Sequence, residues 1–202
     1  MGLFYGITSN PLLAARAGHK YNEIAWQDVI TRADAFGLRE LHIQLPAMDD
    51  TAFSFVEVLT KAKASAQIQI IIKIPLNPAG IQLAPQIQAA GFPVLMTACY
   101  HAKQMFVAQA LGAAYIAPYY GRMIEADIDA AAHLRQMRAI SQTSETPCQI
   151  LIASIRSVDQ MLELASDGHD MFTIAPEVAD ALLSDPNSDA AIESFAQALN
   201  RS

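Results

Sequence analysis

The lysine at position 73 stands in a run of residues, IQIIIKIPL, that otherwise reads as a fully buried β-strand. A lysine is seldom buried without a partner, because an ammonium ion taken out of water either pays a large solvation cost or gives up its proton. Burial therefore lowers the pKa of a lysine below its reference of about 10.4, and the neutral amine is a nucleophile toward carbonyl carbon. The resulting iminium is an electron sink that lets a neighbouring carbon–carbon bond break. The run predicts a Schiff-base lysine; a lysine that snorkels out at the strand end is the structural alternative.

Polar residues also stand at the carboxyl ends of the other β-rich runs. Gln44, Thr97 and Tyr119 can position a water molecule that shuttles protons, although none is a strong base alone. The other positions of this kind are Thr8, Asn10, Ser154 and Thr173. We expect Thr8 to contact substrate, while the alternative for Gln44, Thr97 and Tyr119 is that the backbone satisfies them.

Two arginines are the cations nearest to strand ends. Arg122 lies in the segment YYGRM and Arg156 in the segment ASIRS, and Ser154 stands two residues before Arg156. A surface ion pair would explain either arginine singly. Two guanidinium groups at adjacent strand ends predict a clamp for a phosphate group.

The elements that must position these residues follow a repeated βα pattern. Seven β-rich runs alternate with segments of helical periodicity, which is typical of a parallel sheet with crossover helices. The runs are LFYGITSN, LRELHIQLP, IQIIIKIPL, PVLMTAC, AAYIAPYY, CQILIASI and DMFTIAP, and the helical segments between them include residues 50–65, 101–112 and 157–168. In a (β/α)8 barrel the carboxyl ends of all strands converge on one catalytic face, so the pattern favours a TIM-barrel type of α/β fold. An open doubly wound sheet is the alternative, but no glycine-rich phosphate loop follows the first run.

Composition and charge exclude several kinds of partner. The chain has 202 residues, 52% of them apolar, which predicts one domain over residues 1–202 with a helical tail from about residue 175. A net charge of −7 without a basic run argues against nucleic acid and anionic lipid. The apolar stretches are shorter than the roughly 20 residues that a membrane span requires. The N-terminus does not read as a secretion signal, and Cys99 and Cys148 lack metal-type spacing, so we expect a cytoplasmic protein.

Five ordered segments resemble the motifs of the small transaldolase and fructose-6-phosphate aldolase family. They are GITSNP, IIKIPL, MTACY, APYYGR and ASIR, and the resemblance covers essentially the whole chain. It implies a Schiff-base aldolase on a (β/α)8 barrel, without metal or cofactor, that acts on a sugar-phosphate or dihydroxyacetone-type substrate. By this resemblance Lys73 is the Schiff-base lysine and Thr97 holds the catalytic water. The residues that would contact the donor hydroxyls and the phosphate are Asn10, Ser154, Arg122 and Arg156.

Three positions distinguish two branches of that family. True transaldolases resemble one another in having Glu where this chain has Gln44 and Phe where it has Tyr119, whereas the fructose-6-phosphate aldolase branch has Gln and Tyr. Ala117 stands where transaldolases commonly have a serine that contacts the donor. The resemblance at these positions favours an aldolase, with transaldolase as the alternative.

One departure from the family concerns the first βα unit. Family members begin with a strand that ends in an aspartate and precedes the segment that corresponds to GITSNP. This chain opens almost directly on that segment, so the first of eight strands is expected to be missing. Three interpretations stay open: a sequence that starts at an internal methionine of a full aldolase, a natural seven-strand variant with weakened or lost catalysis, and a barrel whose gap another subunit or the C-terminal segment covers.

The C-terminal tail predicts assembly. Its apolar positions are more numerous than one barrel is expected to cover: Val178, Leu182, Ile192, Phe195 and Leu199. Family members form pentamer-based decamers that exchange C-terminal helices. The resemblance therefore implies a homo-oligomer, a pentamer or a decamer.

Overall fold

A computed structural model describes residues 2–49, 51–63 and 66–200. The strands in these residues are β1 (Gly6–Thr8), β2 (Glu40–Gln44), β3 (Gln69–Pro75), β4 (Val94–Cys99), β5 (Tyr115–Pro118) and β6 (Gln149–Ile150). The α-helices are α1 (Pro11–Arg16), α2 (Trp26–Ala35), α3 (Thr51–Lys63), α4 (Pro78–Ala89), α5 (Gln104–Ala110), α6 (Tyr120–Glu125), α7 (Ala130–Ser141), α8 (Val158–Ser166), α9 (Pro176–Leu183) and α10 (Pro186–Leu199). A short 3-10 helix, Tyr21–Glu23, precedes α2.

The six strands form one parallel sheet in chain order, β1 to β6. The sheet curls into a partial barrel, as expected for repeated βα units. The hydroxyl groups of Thr8 in β1 and Thr173 beyond β6 lie 2.8 Å apart, so the curl brings the two ends of the described sheet together at the strand-end face. The predicted α/β barrel class is confirmed to this extent.

Alternation along β3 sorts its side chains onto the two faces of the sheet. Ile70, Ile72 and Ile74 belong to the large core between sheet and helices. Ile71 points the other way, into a smaller apolar cluster inside the barrel with Leu95, Tyr115, Ala117, Leu151 and Ala153. Lys73 follows Ile71 at the spacing of two residues that keeps a side chain on the same face. The strand therefore delivers Lys73 to the barrel interior.

Helix starts follow from side-chain caps. Asn10 accepts a hydrogen bond from the amide of Leu13, and Asn77 accepts one from the amide of Gly80, each just before a proline at the first helical position. Ser157 caps α8 in the same way. These caps set the strand-to-helix turns at the face where the candidate residues lie.

The seventh run differs from its prediction. Residues 170–176 make one isolated parallel bridge, Ile152 with Phe172, instead of an extended ladder. Backbone pairing stays local there because the preceding strand β6 has only two residues and Ser154 turns away with a φ of 65°. The helix predicted over residues 50–65 is observed as α3, and its residues 50, 64 and 65 lie outside the described part of the chain, as do residues 1, 201 and 202.

The C-terminal tail is two helices joined at Ser184 and Asp185, in agreement with the predicted helical tail. Val178 of α9 is buried, whereas α10 buries none of its residues. Within the described ranges no helix combines the length and apolar character that crossing a bilayer requires.

Candidate active site

Lys73 is buried inside the barrel, with 6% of its surface exposed. Burial lowers the pKa of its amine from 10.5 to about 8. Its Nζ donates a hydrogen bond to the carbonyl oxygen of Ser9 at 3.0 Å. In the described residues no carboxylate forms an ion pair with this lysine. A substantial share of neutral amine at physiological pH follows from this desolvated setting.

Gln44 is the neighbour of Lys73 across the sheet. The two residues are paired in the β2–β3 ladder, so both side chains lie on the inner face of the sheet. The carbonyl of Gln44 accepts a hydrogen bond from the Tyr21 hydroxyl at 2.7 Å. Burial raises the pKa of Tyr21 to about 12, so that hydroxyl stays a donor and ties the end of β2 in place.

Thr97 and Tyr119 form a hydroxyl pair at the ends of β4 and β5. Their oxygens lie 2.9 Å apart. The Arg122 guanidinium lies 4.8 Å from the centroid of the Tyr119 ring, and the Tyr100 ring packs edge-on against the same ring at 5.7 Å. A hydrogen bond with Tyr100 is the main reason that the pKa of Arg122 is raised above its ordinary value. The arrangement holds a hydroxyl pair and a permanent cation at one strand end.

Arg156 lies against α6 from the other side. Its Nη2 is 2.9 Å from Glu125 Oε1, in an ion pair that leaves both side chains about half exposed. Gly121 of α6 permits this approach, because a β-carbon there would meet the Ser154 carbonyl oxygen at 2.2 Å and Arg156 Nε at 3.1 Å. Ser154 itself has a buried hydroxyl without a hydrogen-bond partner in the described residues. An unpartnered buried hydroxyl two residues before an arginine is a candidate donor to an anionic ligand.

The remaining predicted positions have structural contacts. Thr8 bonds to Thr173, and the Asn10 carboxamide oxygen caps α1, which leaves its NH2 group as a donor. Ala117 is a small residue of the barrel's interior apolar cluster. Arg156 also borders a groove of about 350 Å³ whose lining includes Asp159 and Glu177 and none of the residues around Lys73.

The structure thus forms three groups from the predicted residues. Lys73 and Gln44 lie side by side inside the barrel, Thr97 and Tyr119 form a hydroxyl pair against which Arg122 packs, and Arg156 packs against α6, the helix that contains Arg122. Sequence reasoning missed Ser9, because it acts through its carbonyl and any residue type can supply that group. Glu125 was detectable, since an acid three residues after Arg122 lies on the same helix face.

The fold and the site define a parallel α/β barrel protein with a buried amine at its strand ends. Solved structures of the same general architecture include a mandelate oxidase with benzoyl-formic acid, at a TM-score of 0.54 and 16% identity over 72% of this chain and 51% of that one. The PaMucR phosphodiesterase in complex with c-di-GMP matches at a TM-score of 0.55 and 15% identity, over 80% of this chain and 69% of that chain. Our chain thus spans about half the length of that mandelate oxidase. At these identities the likeness concerns the fold alone.

Sequence relatives go further. The family model described as Transaldolase/Fructose-6-phosphate aldolase matches residues 2–202. A probable transaldolase of Chelativorans sp. (strain BNC1) is 30% identical over 96% of this chain and 86% of its own length, and one of Rhizorhabdus wittichii is 31% identical with the same coverage. A probable transaldolase of Bartonella henselae is 29% identical. The chain belongs to the transaldolase/fructose-6-phosphate aldolase family and is an enzyme of the aldolase/transaldolase type.

Proposed function

We propose that this protein is a Schiff-base aldolase that cleaves or forms fructose 6-phosphate or a related ketose phosphate, with Lys73 as the nucleophile and a dihydroxyacetone-type donor. The observation that carries the proposal is Lys73 itself. Its amine is buried at a strand end, has a pKa of about 8 and is hydrogen-bonded to the carbonyl of Ser9. An amine held in this way supplies the neutral form that attacks carbonyl carbon.

The other residues have separate roles in this proposal. The Lys73 amine adds to the ketose carbonyl carbon and water leaves. The iminium then accepts the electrons of the bond between its α- and β-carbons, which breaks to leave an enamine. Cleavage requires a base that takes the proton of the substrate hydroxyl, and the Thr97–Tyr119 hydroxyl pair would position the water that does so. Gln44, which carries no charge, would orient that water or a donor hydroxyl.

A phosphate would bind at α6, away from the Lys73 amine. Arg122 and Arg156 would approach it from two directions, and the free hydroxyl of Ser154 would donate to it. Asn10 and Thr8 would contact the donor hydroxyls. In this account the phosphate competes with Glu125 for Arg156.

Transaldolase activity is the second candidate. The names of the relatives favour it, since all three are probable transaldolases. Gln44, Tyr119 and Ala117 favour the aldolase, because Gln lacks the carboxylate that would recycle a proton during transfer. The two differ in products: an aldolase releases free dihydroxyacetone from fructose 6-phosphate alone, whereas a transaldolase releases its donor unit only onto an acceptor aldehyde such as erythrose 4-phosphate.

The Schiff base is tested by reduction with borohydride. Treatment in the presence of dihydroxyacetone or fructose 6-phosphate should add the donor's mass to the peptide that contains Lys73. Lys73→Ala should abolish this addition, whereas Lys61→Ala, at an exposed lysine on α3, should not. A folded protein left without label at Lys73 would contradict the proposal, and a label without turnover would indicate a barrel that binds its substrate but has lost catalysis.

The proposal extends to the setting of the site. It takes residues 1–202 as one domain of the (β/α)8 barrel type. A cytoplasmic location is part of the same proposal and is supported by the two cysteines, which are both free and buried.

A further inference from the structure

A buried polar cluster lies inside the barrel on the amino-terminal side of Lys73. Glu40 and His42 project inward from β2, and Tyr115 projects from β5. Tyr115 donates to both carboxylate oxygens of Glu40, at 2.9 and 3.1 Å. His42 Nε2 lies 2.9 Å from Glu40 Oε2. All three residues are buried, and the mechanism outlined above uses none of them.

The cluster fixes the protonation of Glu40 and Tyr115, and this in turn defines the hydrogen bond of His42. Burial raises the pKa of Glu40, but hydrogen bonds from His42 and Tyr115 outweigh it and hold the pKa of that carboxyl below its usual value. Burial and the bond to Glu40 raise the pKa of Tyr115, so its hydroxyl remains a donor. Glu40 is therefore a carboxylate that accepts from His42, and Nε2 of His42 carries a proton.

The second ring nitrogen of His42 has no assigned task. Nδ1 is buried and has no hydrogen-bond partner in the described residues. With Nε2 protonated and turned toward Glu40, Nδ1 carries a lone pair that can accept a proton. A buried acceptor without a donor is rare in folded proteins and calls for an explanation.

Strand register places the Lys73 amine next to the level of this histidine, although the two side chains form no hydrogen bond in the structure. Lys73 starts on β3, and its Nζ reaches the carbonyl of Ser9, which follows β1. The Lys73 side chain must therefore cross the inner face of β2, because β1 lies two strand spacings of about 4.8 Å each from β3. Thr8 is level with His42, and Lys73 is level with Gln44. The amine thus ends at the height between the inward side chains of His42 and Gln44.

We propose that His42 is the proton acceptor that converts the Lys73 ammonium to the free amine, and that Glu40 and Tyr115 hold it in the tautomer that can do so. The proposal rests on Lys73 as the Schiff-base nucleophile. One proton passes from Nζ to His42 Nδ1, and Glu40 stabilises the imidazolium that results. After the amine adds to the carbonyl, a second proton moves from the nitrogen to the oxygen and gives the neutral carbinolamine. The proton held by His42 then passes to the carbinolamine hydroxyl, which leaves as water, and the nitrogen lone pair forms the iminium. The groups that face His42 from the surrounding strands are Thr8, Glu40, Gln44, Ile71, Lys73 and Tyr115, and the titratable ones among them are Glu40, Lys73 and Tyr115.

The test is the pH dependence of iminium trapping with dihydroxyacetone and cyanoborohydride. For His42→Phe we expect labelling of Lys73 to be slower by up to about tenfold near neutral pH, because at pH 7 only about a tenth of an amine with a pKa of about 8 is neutral without an acceptor. The rate should approach that of wild type above the Lys73 pKa of about 8, because the amine then loses its proton unaided. For Glu40→Gln a smaller loss in the same direction is expected.

The chain offers a matched control in His169. This histidine is also buried, and its Nε2 also lacks a partner in the described residues, but it follows α8 and is absent from the Glu40 cluster. His169→Phe should trap dihydroxyacetone at the wild-type rate at every pH. Equal rates for His42→Phe and wild type, or a loss that is the same at every pH, would overturn the proposal.

Two further readings separate the possible failures. If wild type itself is never labelled at Lys73, the proposed function fails and not only the role of His42. If neither His42→Phe nor Glu40→Gln folds, the ring nitrogens of His42 in 15N-labelled wild type decide. A protonated Nε2 with a bare Nδ1 supports the proposal, and a protonated Nδ1 overturns it.

Discussion

At the scale of single residues, Lys73 links chemistry to stability. Its pKa is about 8 in the folded protein against an ordinary 10.5, so between these values the unfolded chain binds one more proton than the folded chain. The free energy of unfolding therefore rises with pH through that window, by about 1.4 kcal/mol per pH unit. Below the window the folded protein carries a buried ammonium at a cost of about 3 kcal/mol.

Lys73→Met should remove that cost, because methionine is unbranched and apolar. We expect the free energy of unfolding of this variant to exceed that of wild type by up to about 3 kcal/mol near neutral pH. The advantage should shrink as pH rises toward 10.5. Urea denaturation across this range measures it, with the exposed Lys61→Met as a control expected to change by less than about 0.5 kcal/mol. Stabilities that differ by a constant at all pH values would contradict the assignment.

The hydroxyl of Tyr119 can be separated from its ring. Tyr119→Phe removes the bond to Thr97 but keeps the surface on which Arg122 and Tyr100 pack. We expect turnover to fall by about 100-fold, as for loss of a proton-transfer group, while trapping at Lys73 changes little.

The matched control for that variant is Tyr120→Phe. It removes the neighbouring hydroxyl, which bonds to Glu163 of α8 at 3.3 Å instead of facing Thr97. Its turnover should stay close to wild type. If both variants lose activity equally, the effect belongs to packing around α6 and not to the Tyr119 hydroxyl.

At the scale of elements, the approach of α6 to the end of the β6 segment depends on Gly121. The Gly121 amide donates to the Ser154 carbonyl at 3.1 Å. A β-carbon at position 121 would overlap that same backbone oxygen, which cannot move as a side chain can. Helix and strand end would therefore have to separate.

Gly121→Ala should destabilise the protein by about 1–3 kcal/mol, the usual cost of forcing extra volume into a packed site. It should also weaken binding of a phosphate ester, because Ser154 and Arg156 move with the contact. Thermal unfolding and titration with fructose 6-phosphate measure the two effects. Gly2→Ala, where no atom lies within 4 Å of the added carbon, should be neutral in both.

At the scale of the whole molecule, two regions of exposed apolar surface lie near the C-terminal helices. On α10, Ile192 and Phe195 are 62% and 67% exposed. A second apolar groove of about 430 Å³ lies between the N-terminal segment and residues 170–183, with Leu3, Phe4, Phe172 and Leu183 among its lining. Patches of this kind are typical of surfaces that pack against another chain.

We therefore expect a homo-oligomer at micromolar concentration, and Phe195→Glu should weaken it at least tenfold by placing a charge on the α10 face. Sedimentation velocity measures the shift. Gln197→Glu adds a charge to the same helix and should leave assembly unchanged if the face that contains Phe195 is the contact. A wild-type monomer of 21.9 kDa would show that the α10 face needs no partner.

Local pattern in the sequence by itself determined the βα repeat and the burial of Lys73 in the third run. Successive side chains of a strand alternate between its faces, so IQIIIKIPL places Lys73 on the face of Ile71 without reference to any other strand, and the proline and glycine signals between the runs bound each element. Six of the seven predicted runs are strands of the sheet in the described residues for this reason.

Only the tertiary structure decided which distant groups meet. Thr8 and Thr173 are separated by 165 positions and Glu40 and Tyr115 by 75, yet both pairs form hydrogen bonds inside the curled sheet. The partner of Arg156, the extent of pairing at residues 170–176 and the free nitrogen of His42 likewise depend on register and curl. These are properties of how strands stack side by side, and a one-dimensional pattern cannot contain them because each contact depends on the placement of all strands between its two ends.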